Sequence, residues 1–454
     1  MNVSMLGAGY VGLTTGVCLA FSGHSVTCLD SDEAKIADLE KGKLPFYEPY
    51  MPELLHEARH NLRLTARYEE AIPDAEVVFI AVGTPPGDGG SPDMRQLQAA
   101  AAGIGENLSG PLTVIVNKST VPIGSGNWVG AMVREAFERR HGRRPGGCFA
   151  VASNPEFLRE GSAIADTLYP DRVVIGADEP HSAEVLYRLY RPILDQTFIP
   201  PGFLPRPERL GAVPLVSTDL ESAELIKYAA NAFLALKISY INEIGQLAEK
   251  VGADIGQVAR GIGLDARIGP RFLQAGLGWG GSCFGKDTAA LAATAAEYGL
   301  EMRIVKAARE VNARQRERVI EKLLAELKIL KGCTIGLLGL AFKPNTDDLR
   351  EAPALDIARK LIARGARVKA HDPVAMERLQ REHAGLEVVC CPTPQEVAWD
   401  ADALVLITEW PQYQDLDWDA IAQTMRRPVI LDGRDALDRA RLKRAGFRHL
   451  SMCG

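Results

Sequence analysis

Six residues near the start of the chain, Gly7-Ala8-Gly9-Tyr10-Val11-Gly12, restrict the fold more than any other feature. They follow a strand-like run over 2–6 and lead into a helical pattern over 11–22 that Gly23 closes. A second strand-like run, 25–29, ends on Asp30. In such a unit the first glycine permits a tight turn and the second a close backbone approach to a pyrophosphate. The third lets helix and strand pack together, and the helix N-terminus faces the phosphates. Asp30 is placed to bind adenosine ribose hydroxyls and to repel a 2′-phosphate, so the spacing predicts NAD rather than NADP. Gly7, Gly9, Tyr10, Val11 and Gly12 are the expected cradle.

A length of 454 residues exceeds one core, and two or three domains are expected. Further strand-like runs at 77–82, 113–117, 149–152 and 172–175 alternate with helical stretches, which predicts a parallel doubly wound sheet. Prolines crowd 200–212, a linker or extended loop. Ser217-Thr218-Asp219 then offers cap residues for a helix running from Leu220 towards Val251 with no internal proline. After Cys333 the alternation resumes, with strands expected at 334–338, 366–370 and 403–408. Leu338-Gly339 echoes Leu6-Gly7, and His371-Asp372 echoes Leu29-Asp30. The fold class is therefore α/β: two Rossmann-like doubly wound parallel-sheet domains joined by a long central helix. Boundaries are expected at 1–199, 213–315 and 328–454.

A net charge of −6 argues against a large nucleic-acid or membrane footprint, and no partner of either kind is expected. No basic segment with a following apolar run opens the chain, and its eight cysteines form no CxxC pair. Both point to the reducing cytoplasm, and no metal site is expected.

Cys283 stands apart from the other cysteines. In Gly280-Gly281-Ser282-Cys283-Phe284-Gly285-Lys286-Asp287 the glycines admit a bound group, and a helix is expected to begin after the thiol. A cysteine at a helix N-terminus beside a lysine has a depressed pKa and serves as a nucleophile. Lys227 and Asn231, four apart, share one helix face. An exposed lysine on an amphipathic helix accounts for that pattern equally well. Glu156 and Glu160 in Asn154-Pro155-Glu156-Phe157-Leu158-Arg159-Glu160-Gly161 follow a strand at the sheet edge where ligands bind. The competing reading there is a solvated first turn of a helix.

Taken together, GAGYVG, Lys118-Ser119-Thr120-Val121-Pro122, NPEFLREG, ELIKYAANAFLA at 224–235, GGSCFGKD and GLAFKPNTDDLRE at 339–351 resemble the UDP-glucose/GDP-mannose dehydrogenase family, in its order and over almost the whole chain. Phe284, and the stretches Thr408-Glu409-Trp410 and Leu431-Asp432-Gly433-Arg434, resemble the branch acting on UDP-glucose. Two departures are Gly285, where bacterial relatives commonly carry proline, and a longer 200–212 stretch.

The resemblance implies a double oxidation of a sugar primary alcohol to a carboxylate, with two NAD per UDP-glucose and Cys283 carrying a thiohemiacetal and then a thioester. It implies that Lys227 and Asn231 stabilise the oxyanion, that Glu156 is the acid/base for hydrolysis, and that Asp287 and Thr120 position water. By the same resemblance Asp30, Lys35, Thr84, Thr120, Glu160, Lys286 and Arg350 contact NAD. Phe157, Leu158, Arg159, Glu160, Phe272, Leu273, Gln274, Ala275, Gly276, Gly280 and Lys343, with Lys227 and Asn231, contact the UDP-sugar. An arginine matching Arg267 reaches the neighbouring subunit's site, so a homodimer or higher oligomer is expected. The alternatives are GDP-mannose or a UDP-N-acetylhexosamine as substrate, or a catalytically silent sugar-nucleotide binder on the same fold.

Overall fold

β1 (Asn2–Leu6) lies in the interior of an eight-stranded sheet, flanked by β2 (Ser25–Leu29) and β4 (Val77–Ile80). Outside β2 lies β3 (Leu62–Thr65). Beyond β4 the sheet continues through β5 (Thr113–Asn117), β6 (Phe149–Ser153), β7 (Val173–Gly176) and β8 (Leu215–Thr218). β4 and β5 are buried along their whole length, the pattern of strands covered by helices on both faces. All neighbours run parallel except β6 and β7, which meet antiparallel at Ser153 and Gly176.

The structure, a computed structural model, describes residues 1–87, 90–110 and 112–453. It divides into two units, Met1–Ala229 with Ala289–Tyr298, and Ala230–Thr288 with Gly299–Gly454. The second unit holds a six-stranded parallel sheet of β9 (Thr334–Leu338), β10 (Arg367–His371), β11 (Val388–Cys390), β12 (Ala403–Leu406), β13 (Val429–Asp432) and β14 (Arg448–Ser451). Its order, β11-β10-β9-β12-β13-β14, repeats the order β3-β2-β1-β4-β5-β6 of the first. Both are doubly wound, with the chain direction of winding reversing beside the first strand of each.

The echo between the halves reaches side chains. Gly7 has φ +99° and donates its N–H to Leu29 O at 2.7 Å; Gly339 has φ +98° and donates to His371 O at 2.8 Å. Asp30 Oδ2 accepts from Ala8 N at 2.9 Å, and Asp372 Oδ2 accepts from Leu340 N at 2.7 Å.

The long helix spans Leu220–Val251, and Asp219 caps it by accepting from Ser222 N at 2.7 Å. Ser217 and Thr218, the other expected cap residues, belong instead to β8. The proline-rich stretch is an internal loop of the first unit rather than a linker out of it. Leu204 O accepts from the Tyr169 hydroxyl at 2.9 Å, Phe203 stacks on Tyr50 at 5.3 Å, and the chain then returns as β8 beside β7. The first unit accordingly runs past residue 199. β3, β8, β11, β13 and β14 were not read as strands from the sequence; the edge strands β3, β8 and β11 have only three or four residues each.

Candidate active site

In the first unit, the turn after β1 has the shape that a dinucleotide needs. A Cβ on Gly7 would lie 2.5 Å from Ala81 O, and one on Gly12 would run into the Gly7 carbonyl. A Cβ on Gly9 would meet nothing within 4 Å, and Gly9 is the N-cap of the helix Tyr10–Phe21. Two glycines thus serve packing, and the middle one leaves open space at a helix N-terminus, where a pyrophosphate fits. Asp30 stands beside this turn, accepting from Ala8 N, from Asp32 N at 3.1 Å and from Lys35 Nζ at 2.8 Å. Thr84 and Thr120 come together through the Thr84 hydroxyl, which donates to Thr120 O at 2.8 Å.

The counterpart turn after β9 differs in its side chains. Ala341 and Pro344 stand at the positions of Gly9 and Gly12. Asp372 is fully buried and spends its oxygens on Leu340, Ala341, Val374 and Ala375 N–H groups and on Trp410 Nε1.

Residues 154–160 form a loop, not the first turn of a helix. Glu156 is buried in it, and its Oε1 accepts from Lys227 Nζ at 2.8 Å while Oε2 accepts from Leu158 N at 2.6 Å. Burial pushes the Glu156 carboxyl up, but Lys227, the Leu158 N–H and Lys118 together outweigh it and hold the group below the ordinary carboxylate range. Lys227 is 5% exposed in its side chain, so the exposed-lysine reading does not hold. Phe157 carries the Arg172 guanidinium 3.6 Å from its ring centre and Lys227 Nζ at 5.4 Å. Arg159 points outward and pairs with Asp166 at 2.6 Å.

In the second unit, Cys283 precedes the helix Phe284–Glu297, and its carbonyl accepts the first helical hydrogen bond, from Asp287 N at 2.9 Å. Its Sγ lies 3.6 Å from Ser282 Oγ. Asp287, one turn on, is buried and accepts from Asn231 Nδ2 at 2.6 Å and from Lys286 Nζ at 2.5 Å. Phe284 sets its ring edge-on to Phe272 at 6.3 Å and to Trp279 at 6.1 Å, tying the start of the 272–276 loop to the cysteine turn. Leu273, Gln274 and Ala275 line a cavity of about 370 Å³ with Arg260, Arg434 and Arg439. Gly276 lies under Gly433, whose carbonyl a Cβ would meet at 2.6 Å, and Gly280 under Glu351 at 2.5 Å. At the departure Gly285, a Cβ would meet the Glu351 carboxylate, the mobile end of a side chain that would have to shift. Lys343 Nζ lies over the Phe342 ring at 5.3 Å, Arg350 pairs with Asp348 at 2.7 Å, and Arg267 is 88% exposed and pairs with Asp265 at 2.6 Å.

Sequence reasoning passed over three buried charges. Glu48 accepts from the Tyr10 hydroxyl, from Gly161 N at 2.6 Å and from Ala163 N at 2.7 Å, joining the glycine turn to the Glu156 loop. Glu224 accepts from Gly124 N at 2.6 Å and Gly126 N at 2.9 Å. Lys118 donates to Asn154 Oδ1 at 2.9 Å. Lys118 and Glu224 lie inside the quoted motifs, but spacing alone does not tell a buried charge from a solvated one.

Comparison with known proteins covers the same ground. The pattern of the UDP-glucose/GDP-mannose dehydrogenase family matches in three parts: the NAD binding domain at 1–194, the central domain at 221–314 and the UDP binding domain at 336–439. A UDP-glucose 6-dehydrogenase of Rhizobium meliloti is 44% identical over 100% of this chain and 99% of its own length. The UDP-glucose 6-dehydrogenase TuaD of Bacillus subtilis is 42% identical over 99% and 93%. Among solved structures, a UDP-glucose dehydrogenase from Pyrobaculum islandicum superposes with a TM-score of 0.88 at 39% identity, over 99% of this chain and 97% of that one. A UDP-D-ManNAc dehydrogenase from Pyrococcus horikoshii does so with 0.83 at 25%, over 100% and 99%.

Proposed function

This chain belongs to the UDP-glucose/GDP-mannose dehydrogenase family, and on that premise we propose that it oxidises UDP-glucose to UDP-glucuronate in two steps. The Gly7–Gly12 turn would hold NAD, which would supply the hydride acceptor for each oxidation at C6 of the sugar. The observation that carries the reading is a cysteine at a helix N-terminus one turn from a buried carboxylate that holds Asn231. A simple alcohol dehydrogenase has no use for a nucleophile, whereas trapping an aldehyde as a covalent adduct requires one. Full-length relatives at 42–44% identity act, by their names, on UDP-glucose.

Cys283 adds to the aldehyde carbon, giving a thiohemiacetal that still carries a hydride to lose. Loss of that hydride leaves a thioester, which water cleaves. Lys227, a cation with three donors, and the Asn231 amide stabilise the oxyanion of each adduct. Asp287 orients Asn231 by accepting from its amide. Glu156, buried and ionised beside Lys227, takes the proton from the attacking water, and Thr120 with Asp287 helps to place that water. Lys35, Thr84, Glu160, Lys286 and Arg350 take the cofactor contacts. The UDP moiety lies against the 272–276 loop with Gly280 and Lys343, and Phe157, Leu158 and Arg159 complete the sugar contacts.

The protein acts as at least a dimer. Phe233, Tyr240 and Leu247, seven apart on the long helix, are all about half exposed, and Leu264 and Ile268 add to the exposed apolar surface. Arg267 lies in the same exposed segment and reaches the partner's substrate. Among the described residues, no helix is long and apolar enough to cross a membrane.

NADH formation across UDP-glucose, GDP-mannose and the UDP-N-acetylhexosamines tests the assignment. UDP-glucose should turn over fastest and release two NADH per sugar. Faster turnover of another sugar nucleotide would reassign the substrate, and no NADH from any of them would leave a silent binder.

A further inference from the structure

Lys118, at the end of β5, is a buried cation that the mechanism above does not use. Its ammonium donates to Asn154 Oδ1 at 2.9 Å and lies over the Phe79 ring at 5.8 Å. Asn154 is gripped on every side. Its Oδ1 also accepts from the Tyr190 hydroxyl at 2.6 Å, its Nδ2 donates to Val174 O at 2.8 Å, and its backbone N–H donates to Asn117 O at 2.9 Å. Two residues further on stands Glu156. The charged groups that Lys118 feels are Glu156 and Lys227, and the Tyr190 phenol, which shares Asn154 Oδ1, is held un-ionised by burial.

One lysine already neutralises Glu156 through direct contact. A second buried ammonium therefore leaves the group with excess positive charge, which costs desolvation without improving packing. Burial pushes Lys118 down to about 8, the direction that such a cost takes. A residue kept there under that penalty has a use, and an ionised Glu156 is the group beside it that gains.

We propose that Lys118 is a positioning residue for thioester hydrolysis, fixing the Glu156 loop through Asn154 and adding the second positive charge that keeps the Glu156 carboxylate ionised. The inference rests on the reading of Glu156 as the hydrolytic base. In that step the water oxygen bonds to the thioester carbon, its proton passes to Glu156, and the carbon–sulfur bond breaks to return the Cys283 thiolate. No oxidation state changes. Lys118 touches none of the reacting atoms and acts only on the charge and aim of the carboxylate.

The test follows intact-protein mass and NADH in single turnovers from pH 3.5 to 9, with UDP-glucose and NAD. Lys118→Met should still release both hydrides, while thioester breakdown slows about 10-fold or more and its acidic limb moves up by about one pH unit. Lys118→Arg, which keeps the charge, should hold that limb within a few tenths of wild type. Lys118→Gln carries the same expectation as Lys118→Met, so the test does not depend on one variant folding. Glu156→Gln is the control. If it accumulates thioester while both neutral Lys118 variants hydrolyse as wild type with an unmoved acidic limb, this inference alone fails. If Glu156→Gln hydrolyses normally, the reading of Glu156 fails and the inference falls with it.

Discussion

Lys227 Nζ lies 2.8 Å from Glu156 Oε1, and neither side chain is more than 6% exposed. The pair joins a helix residue to a loop residue 71 positions earlier, and with it a candidate oxyanion stabiliser to a candidate base. Removing one partner of such a pair costs more than the pair contributes, because the other charge is left buried and uncompensated.

Lys227→Met should therefore destabilise the fold at neutral pH by about 3–5 kcal/mol, less whatever Lys118 offsets. The carboxyl of Glu156 is depressed in the folded protein, so its stabilising contribution is present above the unfolded value of about 4.3 and is lost as pH falls through the folded one. The gap in melting temperature between wild type and Lys227→Met should thus be widest near pH 7 and narrow below about pH 4. A gap that is constant with pH would mean that Glu156 is not ionised beside Lys227.

Cys283 and Glu156 divide the second half of the reaction. Cys283→Ala should lose acid formation altogether. Glu156→Gln should let both hydrides leave and then stall, since loss of general-base help slows hydrolysis by about 10²–10⁴-fold. Intact-protein mass spectrometry should show one covalent sugar nucleotide per chain in Glu156→Gln and none in the double variant with Cys283→Ala. Undiminished turnover without an adduct would take Glu156 out of the chemistry.

Asp30, the residue proposed to meet the ribose hydroxyls, ties its carboxylate to the glycine turn through Ala8 N. Steady-state kinetics should favour NAD over NADP by at least about 10²-fold in kcat/KM, on the scale set by an unpaired charge at a polar site. Equal efficiency with both cofactors would show that Lys35, which pairs with Asp30, governs the choice instead.

Arg267 bears on assembly. Light scattering should find at least a dimer, and Arg267→Ala should raise KM for UDP-glucose about 10-fold or more while leaving kcat closer to wild type. A fully active monomer would contradict both the exposed apolar stripe as an interface and the shared arginine.

Much of this protein is written locally. Gly7-Ala8-Gly9-Tyr10-Val11-Gly12 with Asp30 announced a strand–turn–helix unit for NAD, since the positive φ at Gly7 and the close approach at Gly12 are constraints among near neighbours. The start of a helix just past Cys283 was legible for the same reason. So was the long helix, whose thirty-two residues contain no proline. The proline run was read by composition as a linker or an extended loop, and composition could not choose the loop, because what holds it is Tyr50 and Tyr169, residues distant in sequence.

Only the tertiary structure decided which charges are buried and with whom. Lys227 and Glu156 each had a solvated reading that the sequence could not dismiss, Glu48 gave no signal, Lys118 stood in a motif without a role, and Asp372 looked like a second Asp30 although its oxygens are spent on backbone N–H groups and Trp410 Nε1. Backbone conformation responds to a few adjacent residues, and short spacings record it. The ionisation and aim of a buried group depend on partners that the chain brings from far away, and no local pattern encodes them.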